Sequence, residues 1–258
     1  MTEKYFEVEG EKGILRGIYH IPDNRIAATV IMTQGYFSAT KIGAARLHVL
    51  LARRICKMGF SVYRFDFYGT GDSDGDYEEV RFSTEIADLY RVRDYVTKCQ
   101  PNLGPLILIG HSFGGNIALY ASKQTNAQLV VALSTIPPKN GIDIFFTPDM
   151  SEELETQGWT YRKGFYITRE FVDATRSDEF IKNVNPNAKI LLVHGIADEF
   201  VPKDWPIEMQ RRLRGSTLRW ITEGDHNFFV PRARKEVLTV VPDMIAKWYK
   251  SGLDVHVL

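Results

Sequence analysis

The spacing of apolar positions changes several times along this chain, and each change marks an element. Lys4–Glu9 and Ile14–His20 alternate apolar and polar residues around Gly10 and Gly13, which predicts an antiparallel hairpin. After Pro22-Asp23-Asn24 the alternation gives way to a continuous apolar run, Ala27–Met32 (AATVIM). Such a run is expected of a strand covered on both faces. Phe60–Phe65, Pro105–Ile109, Leu129–Leu133 and Lys189–Val193 repeat it, and Leu218–Ile221 is a weaker copy. Helical spacing fills the intervals at Leu47–Met58 (closed by Gly59), Thr84–Lys98, Phe113–Lys123, Glu208–Leu213 and Leu238–Tyr249. The alternation predicts an α/β fold: a mostly parallel, eight-stranded sheet with helices on both faces.

One stretch breaks the alternation. Residues 136–187 separate two predicted strands and hold Pro137-Pro138, Gly141, Pro148, Gly158 and Pro186. They also hold Phe145, Phe146, Trp159, Tyr161, Phe165, Tyr166, Phe171 and Phe180. A structureless loop of that length is uncommon in a compact domain. The reading is an inserted cap, 136–187, over the sheet edge where α/β ligands bind, with 1–135 and 188–258 as the core.

Composition narrows the function. Lys and Arg number 32, as do Asp and Glu, so the formal net charge is zero and no basic excess points to nucleic acid. No apolar run approaches the roughly 18 residues of a membrane span. The opening MTEKYFEVEG has no apolar core of a signal peptide. The two cysteines, Cys56 and Cys99, form no CxxC pair, so neither a disulfide framework nor a thiolate zinc site is expected. The expectation is a cytoplasmic protein, monomer or homodimer, with neither metal nor organic cofactor.

The sharpest chemical signal is Gly110-His111-Ser112-Phe113-Gly114-Gly115, between an apolar strand and a helical pattern. In that context GxSxG is a nucleophile elbow: a strained turn lifts the serine hydroxyl above the sheet, beside the N–H groups of the next helix. A serine hydroxyl needs a base. The chain order that goes with the motif is serine, acid, histidine. Downstream histidines are His194, His226 and His256. His194 ends an apolar strand and His256 sits near the C-terminus, whereas His226 lies in a loop (GDHNFF) between the last strand and the last helix. Asp198 follows the strand Lys189–Val193 closely enough to orient His226, with Glu199 and Asp225 as rivals. The backbone N–H groups of Phe113 and of Tyr36, in Thr33-Gln34-Gly35-Tyr36-Phe37, are the candidate oxyanion donors. The loop GTGDSDG lacks GK[ST] and carries aspartates that repel phosphate, which argues against nucleotide binding; the spacing of a calcium loop is also absent.

TQGYF, RFDFYGTGDSDG, GHSFGG, HGIADEFVP and EGDHNF together resemble the α/β-hydrolase superfamily over nearly the whole chain. Within it the chain is similar to small capped serine esterases, the bacterial cinnamoyl or feruloyl esterases and the monoacylglycerol lipases. Gly164-Phe165-Tyr166 resembles a segment lining the aromatic acid pocket of cinnamoyl esterases, which implies substrate contact for Tyr166. KIGAARLHVLLARR is similar to hydrolases associated with polysaccharide export. One departure stands out: Gln34-Gly35 replaces the family's His-Gly, so the hydrogen bonding behind the oxyanion donor must differ.

These residues imply a serine hydrolase that cleaves a small-molecule carboxylic ester, aromatic or acyl-glycerol, through an acyl-enzyme. Thioesterase, peptidase, C–C hydrolase and acyltransferase chemistry use the same scaffold. A non-catalytic binding module is the rival of a different class, and it would ordinarily have lost one of the three side chains.

Overall fold

The computed structural model describes residues 1–23, 26–36, 40–100, 104–138, 141–162, 164–177 and 179–254, with side chains as far as Ser251. Asn24, Phe37 and His256, singled out above, lie outside the described residues. Strands β1 (Thr2–Glu9) and β2 (Ile14–Ile21) form the expected hairpin. They lead into β3 (Thr29–Thr33), β4 (Ser61–Phe65), β5 (Leu106–His111) and β6 (Leu129–Leu133). A separate hairpin, β7 (Trp159–Arg162) and β8 (Phe165–Thr168), precedes β9 (Lys189–Gly195) and β10 (Thr217–Ile221). The sheet has eight strands in the order β1-β2-β4-β3-β5-β6-β9-β10, parallel from β4 to β10. The helices are α1 (Leu47–Lys57), α2 (Phe82–Cys99), α3 (Phe113–Thr125), α4 (Pro148–Gln157), α5 (Arg169–Thr175), α6 (Glu179–Lys182), α7 (Asp204–Arg212) and α8 (Pro231–Asp254).

The continuous apolar runs have the expected cause. On β3, Ile31 joins one buried cluster while Val30 and Met32 join another; on β5, Leu108 and Ile107 divide the same way. One cluster packs α2 and α3 on the sheet, and the other packs α1 and α8. The first also takes in Met150, Leu154, Ile167, Phe171, Val172 and Phe180 from the stretch between β6 and β9. That stretch therefore shares its apolar core with the sheet.

Helix α8 begins seven residues before the apolar pattern suggests. Its first turns, PRARKEV, bury only Ala233 and Val237, one turn apart, while Pro231 supplies a preset first-turn φ. Inside the helix Pro242 has no N–H for the Leu238 carbonyl. The Arg54 side chain of α1 donates to that carbonyl instead, at 3.0 Å.

Of the five buried histidines among the described residues, three are shifted strongly by their surroundings. Burial, reinforced by nearby Arg64, His111 and His226 respectively, lowers His20 to about 4, His48 to about 3 and His111 to about 4, from 6.5. The folded state keeps all three neutral, whereas the unfolded chain takes up protons near pH 6.5. Their contribution to stability is fully present above that pH and is lost as pH falls toward 4. Urea midpoints should therefore drop steadily from pH 7 to pH 4.5. His48→Leu should make the decline shallower by about one proton, or about 1.4 kcal/mol per pH unit. A midpoint that does not move over this range would mean the histidines are not held neutral.

Candidate active site

Ser112 joins β5 to α3 with φ 55° and ψ −127°, a conformation that L side chains rarely adopt. The packing around it imposes this. A Cβ on Gly110 would lie 2.1 Å from the Gly114 carbonyl oxygen, and one on Gly114 would lie 2.3 Å from that of Gln34. Only glycines let these three backbone segments approach so closely. The Ser112 N–H donates to Leu133 O at 2.8 Å, tying the turn to the end of β6.

Two loops from the far side of the sheet reach Ser112. The Ser112 hydroxyl lies 2.9 Å from His226 Nε2, and His226 Nδ1 lies 2.9 Å from Asp198 Oδ2. Asp198 is ionised, so Nδ1 carries the proton and the hydroxyl donates to Nε2. Phe200 and Val201 N–H groups both donate to Asp198 Oδ1 at 3.0 Å. Burial alone would push the Asp198 carboxyl up. The facing imidazoles of His194 and His226 and the Val201 N–H outweigh it and hold the carboxyl far below the usual range. His194 Nε2 approaches Asp198 Oδ2 at 3.3 Å, as an electrostatic contact without hydrogen-bond alignment.

The rival acids are placed elsewhere. Glu199 is exposed. Asp225 folds back to accept from the Asn227 and Phe229 N–H groups at 2.9 Å and so shapes the histidine loop. The sequence marks His111 only as part of the elbow. Neutral, it donates from Nε2 to the His226 carbonyl at 2.9 Å, fixing the backbone that carries the imidazole.

Gly35 packs against Ser112, and a Cβ there would meet Ser112 Cβ at 3.0 Å. Tyr36 follows, its ring stacked on Phe171 at 4.3 Å and edge-on to Phe113 at 6.3 Å. Phe113 is the first residue of α3, so its N–H has no partner within the helix. Both candidate donors thus flank Ser112. The departure at Gln34 also finds its reason. With its amide oriented to suit its neighbours, Gln34 donates to Phe65 O at 2.8 Å and accepts from Phe67 N–H at 3.1 Å, joining the Tyr36 loop to β4.

A cavity of about 350 Å³ opens over Ser112. One wall is Gly43, Ala44 and Ala45, whose loop is anchored by Lys41. The Lys41 side chain bridges Asp66 and Asp72, and Arg64 donates to Lys41 O at 2.6 Å. Another part of the wall is made by Phe145, Arg162, Phe200 and Phe229. Phe145 and Phe200 bracket the His226 imidazole, with ring centroids 5.2 and 5.8 Å away. Tyr166 is not in this wall, which corrects the sequence expectation. It lies on the outer face of the hairpin with Trp159 and its register partner Tyr161, 37% exposed, while its chain neighbours Phe165 and Ile167 turn inward. Side chains alternate along a strand, so one position decides between cavity and solvent. Among the described residues no group of three or more His, Cys, Asp or Glu could hold a metal ion, and no helix is long and apolar enough to cross a membrane.

A family model described as "Serine aminopeptidase, S33" matches residues 26–183. The solved structure "Ferulic Acid bound to Est1E from Butyrivibrio proteoclasticus" superposes with a TM-score of 0.81 at 20% identity, covering 94% of this chain and 98% of that one. Palmitoyl-protein thioesterase ABHD10, mitochondrial, of Mus musculus is 23% identical over 84% of this chain and 75% of that protein. Its Rattus norvegicus counterpart is 27% identical over 61% of this chain and 56% of its own length. The chain thus spans between just over half and three quarters of these curated relatives.

Two comparisons of variants follow from the geometry. Asp198→Asn should lower p-nitrophenyl acetate turnover by about 10³–10⁴-fold, because asparagine favours the wrong tautomer of His226 and cannot stabilise imidazolium. Glu199→Gln, at an exposed position, should stay within about twofold of wild type; equal losses would move the acid to its neighbour. Phe145→Ala should raise KM for aromatic esters by about 5–10-fold, the worth of one aromatic contact. Tyr166→Ala should leave KM for the same esters unchanged, and the reverse ranking would return Tyr166 to the cavity.

Proposed function

The chain belongs to the serine aminopeptidase S33 family of α/β hydrolases, and on that premise we propose that it is a serine esterase acting through Ser112, His226 and Asp198. The observation that carries this reading is the continuous hydrogen-bond chain from the Ser112 hydroxyl through His226 to Asp198, at 2.9 Å in each link. Ser112 Oγ attacks the ester carbonyl as His226 Nε2 takes its proton. Tyr36 and Phe113 N–H groups receive the oxyanion, and the pair of fixed donors contributes most in a site closed to water. Collapse of the tetrahedral intermediate expels the alcohol, protonated by His226, and leaves an acyl group on Ser112. Water, deprotonated by the same imidazole, then releases the acid. Asp198 orients Nδ1–H and balances the imidazolium in both halves.

The substrate class follows from the walls. Phe145, Phe200 and Phe229 favour a flat or apolar group, supplied in part by residues 136–187, which we assign as the cap. The rodent relatives' names support acyl thioesters as the second substrate to test. The cavity speaks against an aminopeptidase. A free α-ammonium calls for a carboxylate, and the described lining residues include Arg162 and neither Asp nor Glu. The free thiols Cys56 and Cys99 support a reducing compartment, which we take to be the cytoplasm.

A fluorophosphonate probe should label the wild-type protein at Ser112 and leave Ser112→Ala unlabelled. The same variant should lose about 10³-fold or more in kcat with an unchanged melting curve. Parallel kcat/KM values for feruloyl, p-nitrophenyl, acyl-CoA and aminoacyl substrates should rank the oxygen esters first. Labelling that survives Ser112→Ala, or fastest turnover of the aminoacyl amides, would overturn the reading.

A further inference from the structure

Arg162 brings a charge to a wall that is otherwise aromatic. It is the last residue of β7, and the alternation that turns Tyr161 outward points Arg162 into the cavity above Ser112. Its guanidinium carbon lies 5.9 Å from the centroid of the Phe145 ring. That ring is in turn 5.2 Å from His226, so one aromatic ring separates the cation from the imidazole. Arg162 is half-buried. Burial lowers its pKa, yet a guanidinium stays charged at neutral pH. A charge on a partly dry wall interacts more strongly than one in water. Its five N–H donors form a planar fork, so it can keep the contacts it has and still take a carboxylate edge-on.

We propose that Arg162 is a specificity-determining residue, and that the preferred ester carries a carboxylate or similar anion about one aromatic ring away from the scissile carbonyl. This deepens the serine-esterase reading and rests on it for the position of the carbonyl. The anion can belong to the alcohol or to the acyl half, and the test separates the two.

The alcohol arm compares kcat/KM for p-carboxyphenyl acetate with p-carbamoylphenyl acetate. The acyl arm compares the mono-p-nitrophenyl ester of terephthalic acid with p-nitrophenyl p-carbamoylbenzoate. Wild type should prefer the anionic member of one pair. Arg162→Gln should cut that preference by about 10–100-fold, mainly through KM, the range expected for a charged hydrogen-bond pair. Arg162→Lys should retain part of it. A wild type indifferent in both pairs, or an Arg162→Gln protein that slows both members of a pair alike, overturns the proposal. Calorimetric titration of benzoate and benzamide into Ser112→Ala reads the anion site without turnover. Benzoate binding that Arg162→Gln abolishes supports the site even if no ester is cleaved, in which case the esterase reading alone fails. Absence of benzoate binding to Ser112→Ala overturns the site while leaving the esterase reading intact.

Discussion

The positive φ of Ser112 is the constraint on which the rest of this structure depends. It is a costly backbone state for a residue with a side chain, and it persists because three segments over-determine it. Gly110 and Gly114 are in near contact across the turn, Gly114 is pressed on the Gln34 carbonyl, and the Ser112 N–H is taken by Leu133 at the end of β6. The hydroxyl therefore has one direction in which to point, above the carboxyl ends of the parallel strands. The neighbouring apolar strands are the frame that holds this turn, and the elbow in turn aligns β3, β5 and β6 at their ends.

Around this fixed point the other groups are held by short, local restraints. Asp198 is clamped by two N–H groups of its own loop, and that loop is joined to the histidine loop where Ala197 N–H donates to Gly224 O at 2.8 Å. Neutral His111, beside Ser112 in sequence, holds the His226 carbonyl. The Gly43-Ala44-Ala45 wall is pinned through Lys41 to Asp66 and Asp72, acidic residues of the glycine-punctuated loop. That loop thus acts as a scaffold turn: Asp66 also accepts from the Asp72 N–H and Asp74 from the Ile14 N–H, each at 2.9 Å. Rigid placement of Ser112, His226 and Asp198 on separate loops is what the proposed acyl transfer requires, since misplacement by about 1 Å can cost about 10²-fold in rate.

Much of this was legible in the chain. Continuous apolar runs located the parallel strands, because covering a strand on both faces leaves no room for polar positions. GHSFGG identified the elbow, because glycine at those two places is a steric requirement. Asp198 and His226 could be ranked above Glu199, Asp225 and His194 from loop position alone. The apolar spacing truncates helix α8, because its first turns bury only Ala233 and Val237 and carry charge elsewhere. Gln34 could be recognised as a departure from the resembled family, but its bonds are to Phe65 and Phe67, at and just past the end of a strand far away in sequence.

The chain by itself determined the order of strands and helices outside residues 136–187 and the elbow, and it singled out the polar groups that the fold brings beside Ser112, since each follows from local spacing or from a residue type with no steric substitute. The tertiary structure alone decided which side chains of residues 136–187 face the cavity. Phe145, Arg162 and Phe200 come from separate segments and meet only when the stretch settles on the sheet. Tyr166 and Arg162 lie on adjoining strands of one short hairpin, yet one faces solvent and the other the cavity. A strand's two faces are exchanged by a shift of a single residue, and what selects between them is the apolar surface beneath the hairpin, contributed by distant parts of the chain.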